Sequence, residues 1–385
     1  MKNNYEGGFW YSPSDLTSFV GCTHSTWMDY QTLSNAASIP ATEEKSFADL
    51  IVQKGLEHEA SYLDKLTSTF ENTVRISRDT SFEKQLEATV GAMKSGVDVI
   101  YQGALSRSPW RGYPDFLIKS SDPSGFGTYS YQVFDTKLAK EPRPDHIIQI
   151  CMYSDMLADI QGPLPRTMHL VTGDDIQHDF KVSDFYFYYL RSKQRFESFV
   201  AARPSDSYPE PCQHCDVCHW LEACKLRWQE DDHLSLVANI RRSQREKLEK
   251  SGIGTTKQLA LMNPDFHVSG LDPDVKFRLR SQAALQLHRS ETATDTYELI
   301  EASPGRGFER LPKPARGDLF FDIEGDPLTS GGLEYLFGVI TYGDQGEIFK
   351  SWWAHDHAQE KQTFRDFMDP NPTFSVRGDP KIWIW

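Results

Sequence analysis

The chain has few cysteines, no long apolar run and no excess of positive charge. Six cysteines among 385 residues are too few for a scaffold held together by disulfides. No stretch approaches the roughly 18 apolar residues that a membrane-spanning helix needs, and the opening residues lack the basic and apolar regions of a signal peptide. We therefore expect a cytoplasmic protein with reduced thiols and no membrane partner.

Positive charge is scarce because 41 lysine and arginine residues face 55 aspartate and glutamate residues, which gives a formal net charge of −14. This balance argues against a protein that coats duplex DNA through a broad basic surface. It is compatible with a nucleic-acid enzyme that has a local groove and a carboxylate metal site. The length is sufficient for two or three domains.

Four regions are distinguished along the chain. Residues 1–232 alternate helix-like and strand-like segments, and residues 233–302 are mostly helical. A linker rich in glycine, proline and arginine is predicted at 303–317, and a strand-rich segment follows at 318–385. In the first region the order helix, three strands, helix, strand and helix predicts an α/β core with a mixed sheet.

The first region contains the segments on which the site predictions depend. Ser12, Pro13 and Asp15 have the spacing of a helix start. Helical periodicity predicts a helix over 46–68 with His58 on its apolar face. Alternation of β-branched and aromatic residues predicts the strands. The predicted strands are 97–105, 113–119, 129–138 and 167–173, and the later predicted helices are 143–160 and 184–202.

Asp135 and Lys137 lie two residues apart in "FDTKLA" and would share one face of a strand. A carboxylate in this position can hold a hard cation such as Mg²⁺. The ammonium can orient an attacking water or offset charge in the transition state of phosphodiester cleavage. Asp115, in "GYPDFL", would supply a second carboxylate from the neighbouring strand. The alternative is a surface ion pair on an edge strand, because Asp-x-Lys occurs often by chance.

Three weaker signals accompany the aspartates. His58 lies on an apolar stripe, where a core histidine with satisfied hydrogen bonds is the alternative. Gln149 and Tyr153 are four residues apart on one predicted helix face, and their alternative is a half-buried amide and a packing tyrosine. Along the chain the order is histidine, aspartate, Asp-x-Lys and then Gln-x-x-x-Tyr.

That order, with the flanking cysteines, resembles the RecB-like nucleases of the PD-(D/E)xK superfamily. It is most similar to their iron–sulfur branch, which includes AddB-type and CRISPR-adaptation nucleases. The resemblance covers most of residues 10–260. The segments that carry it look like those of a subgroup often fused to a helicase, and they are KGLEHEASYL, GYPDFL, YQVFDTKLA, QICMYSDML and CDVCHWLEACKLRWQEDDHLSLVANI.

The resemblance implies a restriction-endonuclease-like mixed sheet flanked by helices. It also implies a Mg²⁺- or Mn²⁺-dependent deoxyribonuclease, an exonuclease that acts on single-stranded DNA ends or flaps in repair or recombination. The resemblance implies that His58, Asp115 and Asp135 are metal ligands and that Lys137 is the catalytic lysine. It also implies that Gln149 and Tyr153 position the DNA strand or the active-site helix. The gap between the two aspartates is long for the family, and we interpret "SSDPSGFGTYS" as an enlarged hairpin loop that leaves the two strands paired.

Four of the six cysteines fall within the stretch PEPCQHCDVCHWLEAC. A tight thiol cluster in a reducing compartment indicates a metal site. In the iron–sulfur branch a C-x2-C-x5-C trio joins one distant cysteine around a 4Fe–4S cluster, and Cys215, Cys218, Cys224 and Cys22 occupy those places. The cluster would close a loop of about 190 residues and brace the fold. Cys212 departs from the pattern, and with the local trio it could instead bind Zn²⁺.

The later segments carry two further resemblances. Residues 241–262 read as a basic helix, Gly-Ile-Gly and a second helix, which is similar to a helix-hairpin-helix element; a solvated amphipathic helix pair is the alternative. Asp322 and Glu324 share one strand, and the order strand, strand, strand, helix resembles the start of an RNase H-like, DnaQ-type exonuclease domain. The final "NPTFSVRGDPKIWIW" does not resemble that family. We therefore expect a truncated or altered, inactive domain that folds poorly and exposes a large apolar edge.

Two other functions compete with that of a nuclease. The first is a non-catalytic DNA-binding module that serves a helicase. A pure binding module has no need of Asp115, Asp135 and Lys137 together, which argues against it. The second is a zinc-binding interaction domain without a role in nucleic-acid chemistry. Colour distinguishes the second, because an iron–sulfur protein is brown and a zinc protein is colourless.

Overall fold

The computed structural model forms two compact units, Met1–Glu298 and Leu299–Trp385. The helical segment predicted at 233–302 thus belongs almost entirely to the first unit. Among the helices that the structure describes, none combines the length and the apolar character needed to cross a membrane. The described residues are 1–3, 8–34, 45–311, 313, 318–329, 331–343, 346–368 and 382–384.

The centre of the first unit is a six-stranded mixed sheet, which confirms the predicted α/β class. Its strands are β3 (Thr73–Arg75), β4 (Val99–Tyr101), β7 (Phe116–Ser120), β8 (Ser130–Thr136), β9 (Thr167–Val171) and β10 (Gln177–Lys181). Their order is β10-β9-β8-β7-β4-β3, with β8 parallel to β9 and β3 parallel to β4. Two small hairpins lie outside this sheet: β1 (Lys2–Asn3) with β2 (Phe9–Trp10), and β5 (Leu105–Arg107) with β6 (Trp110–Gly112).

Seven helices surround or follow this sheet in the described part of the first unit before the helical segment. They are α1 (Pro13–Gly21), α2 (Thr23–Leu33), α3 (Lys45–Thr69), α4 (Phe82–Lys94), α5 (Pro144–Gln161), α6 (Val182–Ala202) and α7 (Leu221–Glu230). The predicted start of the first helix is confirmed, because the hydroxyl of Ser12 accepts the Asp15 N–H at 3.3 Å and the Asp15 carboxylate accepts the Ser12 N–H at 2.7 Å. This reciprocal cap satisfies two backbone donors that a helix start leaves open.

Helix α5 is the central helix of the first unit. Its apolar run is buried on several faces, including Ile147, Ile150 and Met156, because β8, β9 and helices α1 and α6 all pack on it. Cys151 is fully buried within this run and packs there as a small apolar residue.

Two strand predictions differ from the structure around the aspartates. The single strand predicted at 97–105 is divided into β4 and β5, because Gln102 adopts a left-handed conformation with φ of 53°. Asp115 immediately precedes β7, since Pro114 cannot donate to a strand ladder, and Lys137 immediately follows β8. The long hairpin prediction is confirmed: β7 and β8 pair antiparallel from Phe116 opposite Phe134 to Ser120 opposite Ser130.

The helical segment has its own apolar core. Its helices are α8 (Arg242–Lys250), α9 (Thr256–Leu261) and α10 (Pro273–Thr292). Leu248, Leu259 and Leu279, one from each helix, are buried together. Gly252, with φ of +87°, ends α8 and allows the tight connection to α9. The predicted order of basic helix, glycine turn and second helix is confirmed.

The second unit contains β11 (Leu319–Asp326), β12 (Leu333–Gly343), β13 (Gly346–Trp353), α11 (His357–Met368) and β14 (Ile382–Ile384). The predicted order of three strands and a helix is confirmed. The sheet order is β13-β12-β11-β14, with β14 parallel to β11. β11 is therefore an inner strand, because the last described residues pair with it, and β13 is an edge strand of the described sheet. Apolar side chains are exposed on β13, where Phe349 is 63% exposed.

Candidate functional site

Asp115, Asp135 and Lys137 meet at one end of the central sheet. In the antiparallel pairing of β7 and β8, Phe116 lies opposite Phe134. Asp115, one residue before Phe116, therefore lies beside Asp135 and Thr136. One oxygen of Asp115, Oδ2, accepts both the backbone N–H and the hydroxyl of Thr136, each at 2.7 Å. The Lys137 ammonium lies 2.5 Å from Oδ2 of Asp135, whose side chain is 1% exposed.

The charges of these groups act strongly on one another. Burial, followed by the negative charges of Asp135 and Glu59, raises the pKa of Asp115 from 3.8 to about 8. Burial by itself would lower the pKa of Lys137, but the carboxylates of Asp135 and Asp115 outweigh it and raise that pKa. At neutral pH the site therefore contains an ammonium group and a carboxyl group, Asp115, that retains its proton.

The buried oxygen Oδ2 of Asp135 has the Lys137 ammonium as its close partner. Beyond that ion pair, this oxygen has no hydrogen-bond partner among the described residues. A buried carboxylate oxygen without a hydrogen bond is costly unless a cation neutralises it. Oxygen ligands of this kind suit Mg²⁺ or Mn²⁺. Within the described parts of the chain, however, no three His, Cys, Asp or Glu side chains are already grouped as ligands of one metal ion.

Glu59 is a third carboxylate near this site, and the sequence prediction did not include it. It lies on α3, is 9% exposed, and accepts a hydrogen bond from the Gln102 amide at 3.0 Å. Its charge contributes to the raised pKa of Asp115. Helical spacing could have indicated it, because Tyr62 and Leu66 lie three and seven residues later and face the core beneath the sheet.

His58 lies beside Glu59 and reaches the end of β9. Its Nε2 atom is 3.5 Å from the carbonyl oxygen of Val171, and its Nδ1 atom is 4.0 Å from the Asp175 carboxylate. Val171 is paired with Thr136, so His58 lies at the same end of the sheet as the aspartates. Its role as a metal ligand stays a prediction.

Gln149 and Tyr153 form a pair on α5, as their spacing predicted. The Gln149 amide donates to the Tyr153 hydroxyl at 3.3 Å. Burial, and then the charge of Asp135, raise the pKa of Tyr153, so this residue is a neutral hydroxyl near the carboxylates. The ring packs closely on the backbone of Gly112, where an added Cβ would lie 2.6 Å from Tyr153 Cε1.

The four cysteines of the predicted iron–sulfur set line one pocket, together with Trp220 and Trp228: Cys22, Cys215, Cys218 and Cys224. Cys22 lies between α1 and α2, at the C-terminal cap position of α1 and the N-terminal cap position of α2. Burial and the neighbouring thiols raise the pKa of Cys224 to about 12, so a metal must displace protons to bind there. The indole of Trp220 is buried and donates to Asp29 at 2.8 Å.

Cys212 is placed differently from the other four. It is not among the described residues that line the pocket. Its Sγ atom lies 3.5 Å from the carbonyl oxygen of Gly21 and 3.9 Å from Sγ of Cys215. The thiol interacts with both Cys22 and Cys215, so it is near enough to the other four to compete for a metal ion.

The acidic pair of the second unit lies on one strand. Asp322 and Glu324 are both exposed on β11, and the Asp322 carboxylate accepts the N–H of Ile323 at 3.0 Å. They share one face of the strand, and no further acidic ligand joins them in a metal-binding group within the described residues.

No protein-family model matches the chain, and no curated protein matches it. Among solved structures, the chain is similar to one described as "Crystal structure of SSO0001", with 12% sequence identity and a TM-score of 0.21. The similarity covers 54% of this chain and 98% of that chain. A TM-score of this size supports no inference about fold or function.

Proposed function

We propose that the protein is a metal-dependent DNA nuclease that hydrolyses phosphodiester bonds at single-stranded ends or flaps. The observation that carries the proposal is the convergence of Asp115, Asp135 and Lys137 at one end of the sheet, with a buried acceptor oxygen on Asp135. Two carboxylates and an ammonium within reach of one another fit this reaction better than a binding role, because binding alone needs none of them.

The proposed metal ligands are Asp115 and Asp135, with His58 or Glu59 from α3 completing the set. A bound Mg²⁺ or Mn²⁺ ion would polarise the phosphate and lower the pKa of an attacking water. Asp115 must lose its proton for this, since its pKa is about 8 in the absence of metal. Ion binding and deprotonation of Asp115 are therefore linked in the proposal.

Lys137 would act as a charged group rather than as a base. Its raised pKa keeps the ammonium protonated at neutral pH, so it can offset the charge that develops on the phosphate or hold the attacking water. Tyr153, also protonated, is placed to donate a hydrogen bond, and Gln149 orients that hydroxyl. Both are assigned as positioning residues.

The proposal includes a structural 4Fe–4S cluster bound by Cys22, Cys215, Cys218 and Cys224, in a cytoplasmic protein whose thiols stay reduced. The shared pocket of these four thiols supports this set, and thiolates are the ligands that such clusters require. Zinc is the second candidate, because the 3.9 Å separation of the Cys212 and Cys215 sulfur atoms suits two ligands of a tetrahedral ion with Zn–S bonds of about 2.3 Å.

A cleavage assay tests the proposal. Protein purified without oxygen is incubated with end-labelled single-stranded DNA and Mg²⁺ or Mn²⁺, beside Asp135→Asn and Lys137→Met. We expect each variant to lose roughly 100-fold or more in rate, whereas Lys225→Met, which removes an exposed lysine paired with Glu222, retains activity. Equal degradation by the wild type and both site variants would show that the site is wrongly assigned. Binding of DNA without any cleavage would favour the non-catalytic module that serves a helicase.

A further inference from the structure

A groove on the first unit is lined by alternating aromatic and cationic side chains, which we name the arginine–aromatic groove. Its principal members come from β1, β2, the loop before α4, α4 itself, β6 and the segment between β6 and β7, and they are Lys2, Trp10, Arg78, Phe82, Arg111 and Tyr113. No residue of this groove belongs to the predicted ligand set or to the cysteine pocket. The aromatic side chains and the positive charge stand out in a chain with a net charge of −14.

The side chains of the groove form a continuous stack. The Arg111 guanidinium lies 3.6 Å from the centre of the Trp10 ring and 4.3 Å from that of Phe82. Phe82 meets Tyr113 edge to face at 5.6 Å, and the Arg78 guanidinium lies 3.3 Å from the centre of the Tyr113 ring. Guanidinium and aromatic groups in contact stabilise each other, so the stack is held in place before any ligand arrives.

The two arginines differ in their charge balance. Arg111 is paired with Glu83 at 3.0 Å, so its charge is largely compensated. Arg78 is exposed and makes no ion pair with a carboxylate among the described residues. Among the described residues that line the groove, Asp15 is the one carboxylate, and it is already engaged in the cap of α1 and by the amino group of Met1. Arg78 therefore offers an uncompensated charge and one face of its guanidinium to solvent.

Two residues of the groove, Tyr113 and Tyr153, lie near the candidate site. Tyr113 precedes Asp115 by two residues. Tyr153 of α5 also lines the groove, and the charges of Asp135 and Asp115 raise the pKa of its hydroxyl group. A strand lying in the groove would thus continue toward the carboxylates. A DNA strand bound in the groove would therefore have a phosphate near Asp115 and Asp135, where cleavage is proposed.

We propose that the arginine–aromatic groove binds the nucleotides of single-stranded DNA next to the scissile phosphate, with a base stacked on Arg78 or Trp10 and a phosphate paired with Arg78. This inference rests on the proposed nuclease function and identifies the strand-binding surface of that site. Stacking of bases on aromatic rings and arginine planes, combined with local positive charge, is how proteins hold single strands without reading their sequence.

A binding measurement in EDTA tests the groove separately from cleavage. The full-length protein, purified without oxygen, is titrated into fluorescein-labelled oligo(dT), and the dissociation constant is followed by fluorescence anisotropy at several salt concentrations. We expect Arg78→Ala to weaken binding about tenfold and to reduce the slope of log K against log salt by about 0.7. Trp10→Leu should weaken binding by a similar factor and leave the slope unchanged. Arg78→Lys should keep the slope and lose part of the affinity.

Arg166→Ala is the matched control. The Arg166 side chain is 82% exposed, and Arg166 directly precedes the first residue of β9. Asp135 is paired with Leu170 near the last residue of β9, so Arg166 lies at the opposite end of this strand from the candidate site. Its substitution should therefore leave DNA binding unchanged. Circular dichroism confirms that each variant is folded. If Arg78→Ala and Trp10→Leu bind as the wild type does, or if the wild type does not bind, the groove proposal is wrong. If binding behaves as expected but no cleavage occurs with Mg²⁺ or Mn²⁺, the groove stands and the nuclease proposal fails.

Discussion

At the scale of single residues, the two aspartates are held by different partners. Asp115 receives two hydrogen bonds from Thr136, whereas Oδ2 of Asp135 depends on its ion pair with Lys137. Lys137 is nearer to Asp135, so Asp115 is the carboxyl group that takes up the proton in the absence of metal. This asymmetry makes Asp115 the residue whose protonation should control metal binding.

The raised pKa of Asp115 predicts a loss of stability as pH rises. Between about pH 4 and 8 the folded metal-free protein binds a proton that the unfolded chain has released, so the free energy of unfolding falls with pH across this window. Asp115→Asn, which keeps an acceptor for Thr136 without the charge, should flatten the fall and raise the free energy of unfolding at pH 7.5 by about 1 to 2 kcal/mol. Urea unfolding at several pH values measures both effects.

The control for this prediction is Asp265→Asn, since Asp265 is exposed and far along the chain in the helical segment. It should leave the dependence on pH unchanged. Mg²⁺ at pH 8 should stabilise the wild type more than Asp115→Asn, because the carboxylate is the proposed ligand. An Asp115→Asn protein with the same dependence on pH as the wild type would contradict the assignment.

At the scale of elements, the packing of α5 on β6 fixes Tyr153. Gly112 of β6 leaves room for the Tyr153 ring, and an added Cβ would also lie 3.2 Å from Pro13 at the start of α1. Tyr153 is 5% exposed and has little room to move. The glycine therefore sets the position of a residue that serves both the groove and the candidate site.

Two glycine substitutions test this packing in opposite directions. Gly112→Ala should destabilise the protein by about 1 to 3 kcal/mol, because the new methyl group forces Tyr153 to shift. Gly91→Ala, within α4, meets no atom within 4 Å and should stabilise it by about 0.5 to 1 kcal/mol through the helix preference of alanine. Chemical denaturation measures both values, and equal effects of the two substitutions would refute the argument from close contact.

The elements that the sequence predicted are those with strong periodic patterns. Helix α1 begins at its predicted cap, and α3, α5 and α6 begin and end within two residues of their predictions, because caps and apolar spacing act locally. The strands β3 and β10 were missed. β3 has three residues, and β10 alternates between exposed and half-buried positions without a buried apolar face, so neither shows the pattern of a core strand.

At the scale of the whole molecule, the cysteine pocket connects distant parts of the first unit. Cys22 lies between α1 and α2, and its partners lie near α7, almost 200 positions later along the chain. A shared cofactor would constrain the unfolded chain over a very long loop. It would therefore hold α1 and α2 against α7.

Metal content of cysteine variants distinguishes the two candidate cofactors. Cys22→Ser should lose the iron, the sulfide and the brown colour, and its melting temperature should fall. Cys212→Ser should keep all of them, because Cys22, Cys215, Cys218 and Cys224 supply the four thiolates of the proposed cluster. Iron, sulfide and zinc assays with visible absorption measure these outcomes. If Cys212→Ser loses its metal and Cys22→Ser retains zinc, the local four-cysteine zinc site is the correct one.

The sequence by itself determined the helix starts, the α/β class and the long hairpin between the two aspartates, because these depend on local caps, periodicity and turn residues. It also singled out Asp115, Asp135 and Lys137 as one set. Only the tertiary structure decided that the charge of Glu59 reaches Asp115, that the Cys212 thiol lies beside the carbonyl oxygen of Gly21, and that Arg78 stacks on Tyr113. Such proximities join segments that lie tens or hundreds of residues apart, and no local pattern specifies which side chains meet when a sheet and its helices pack.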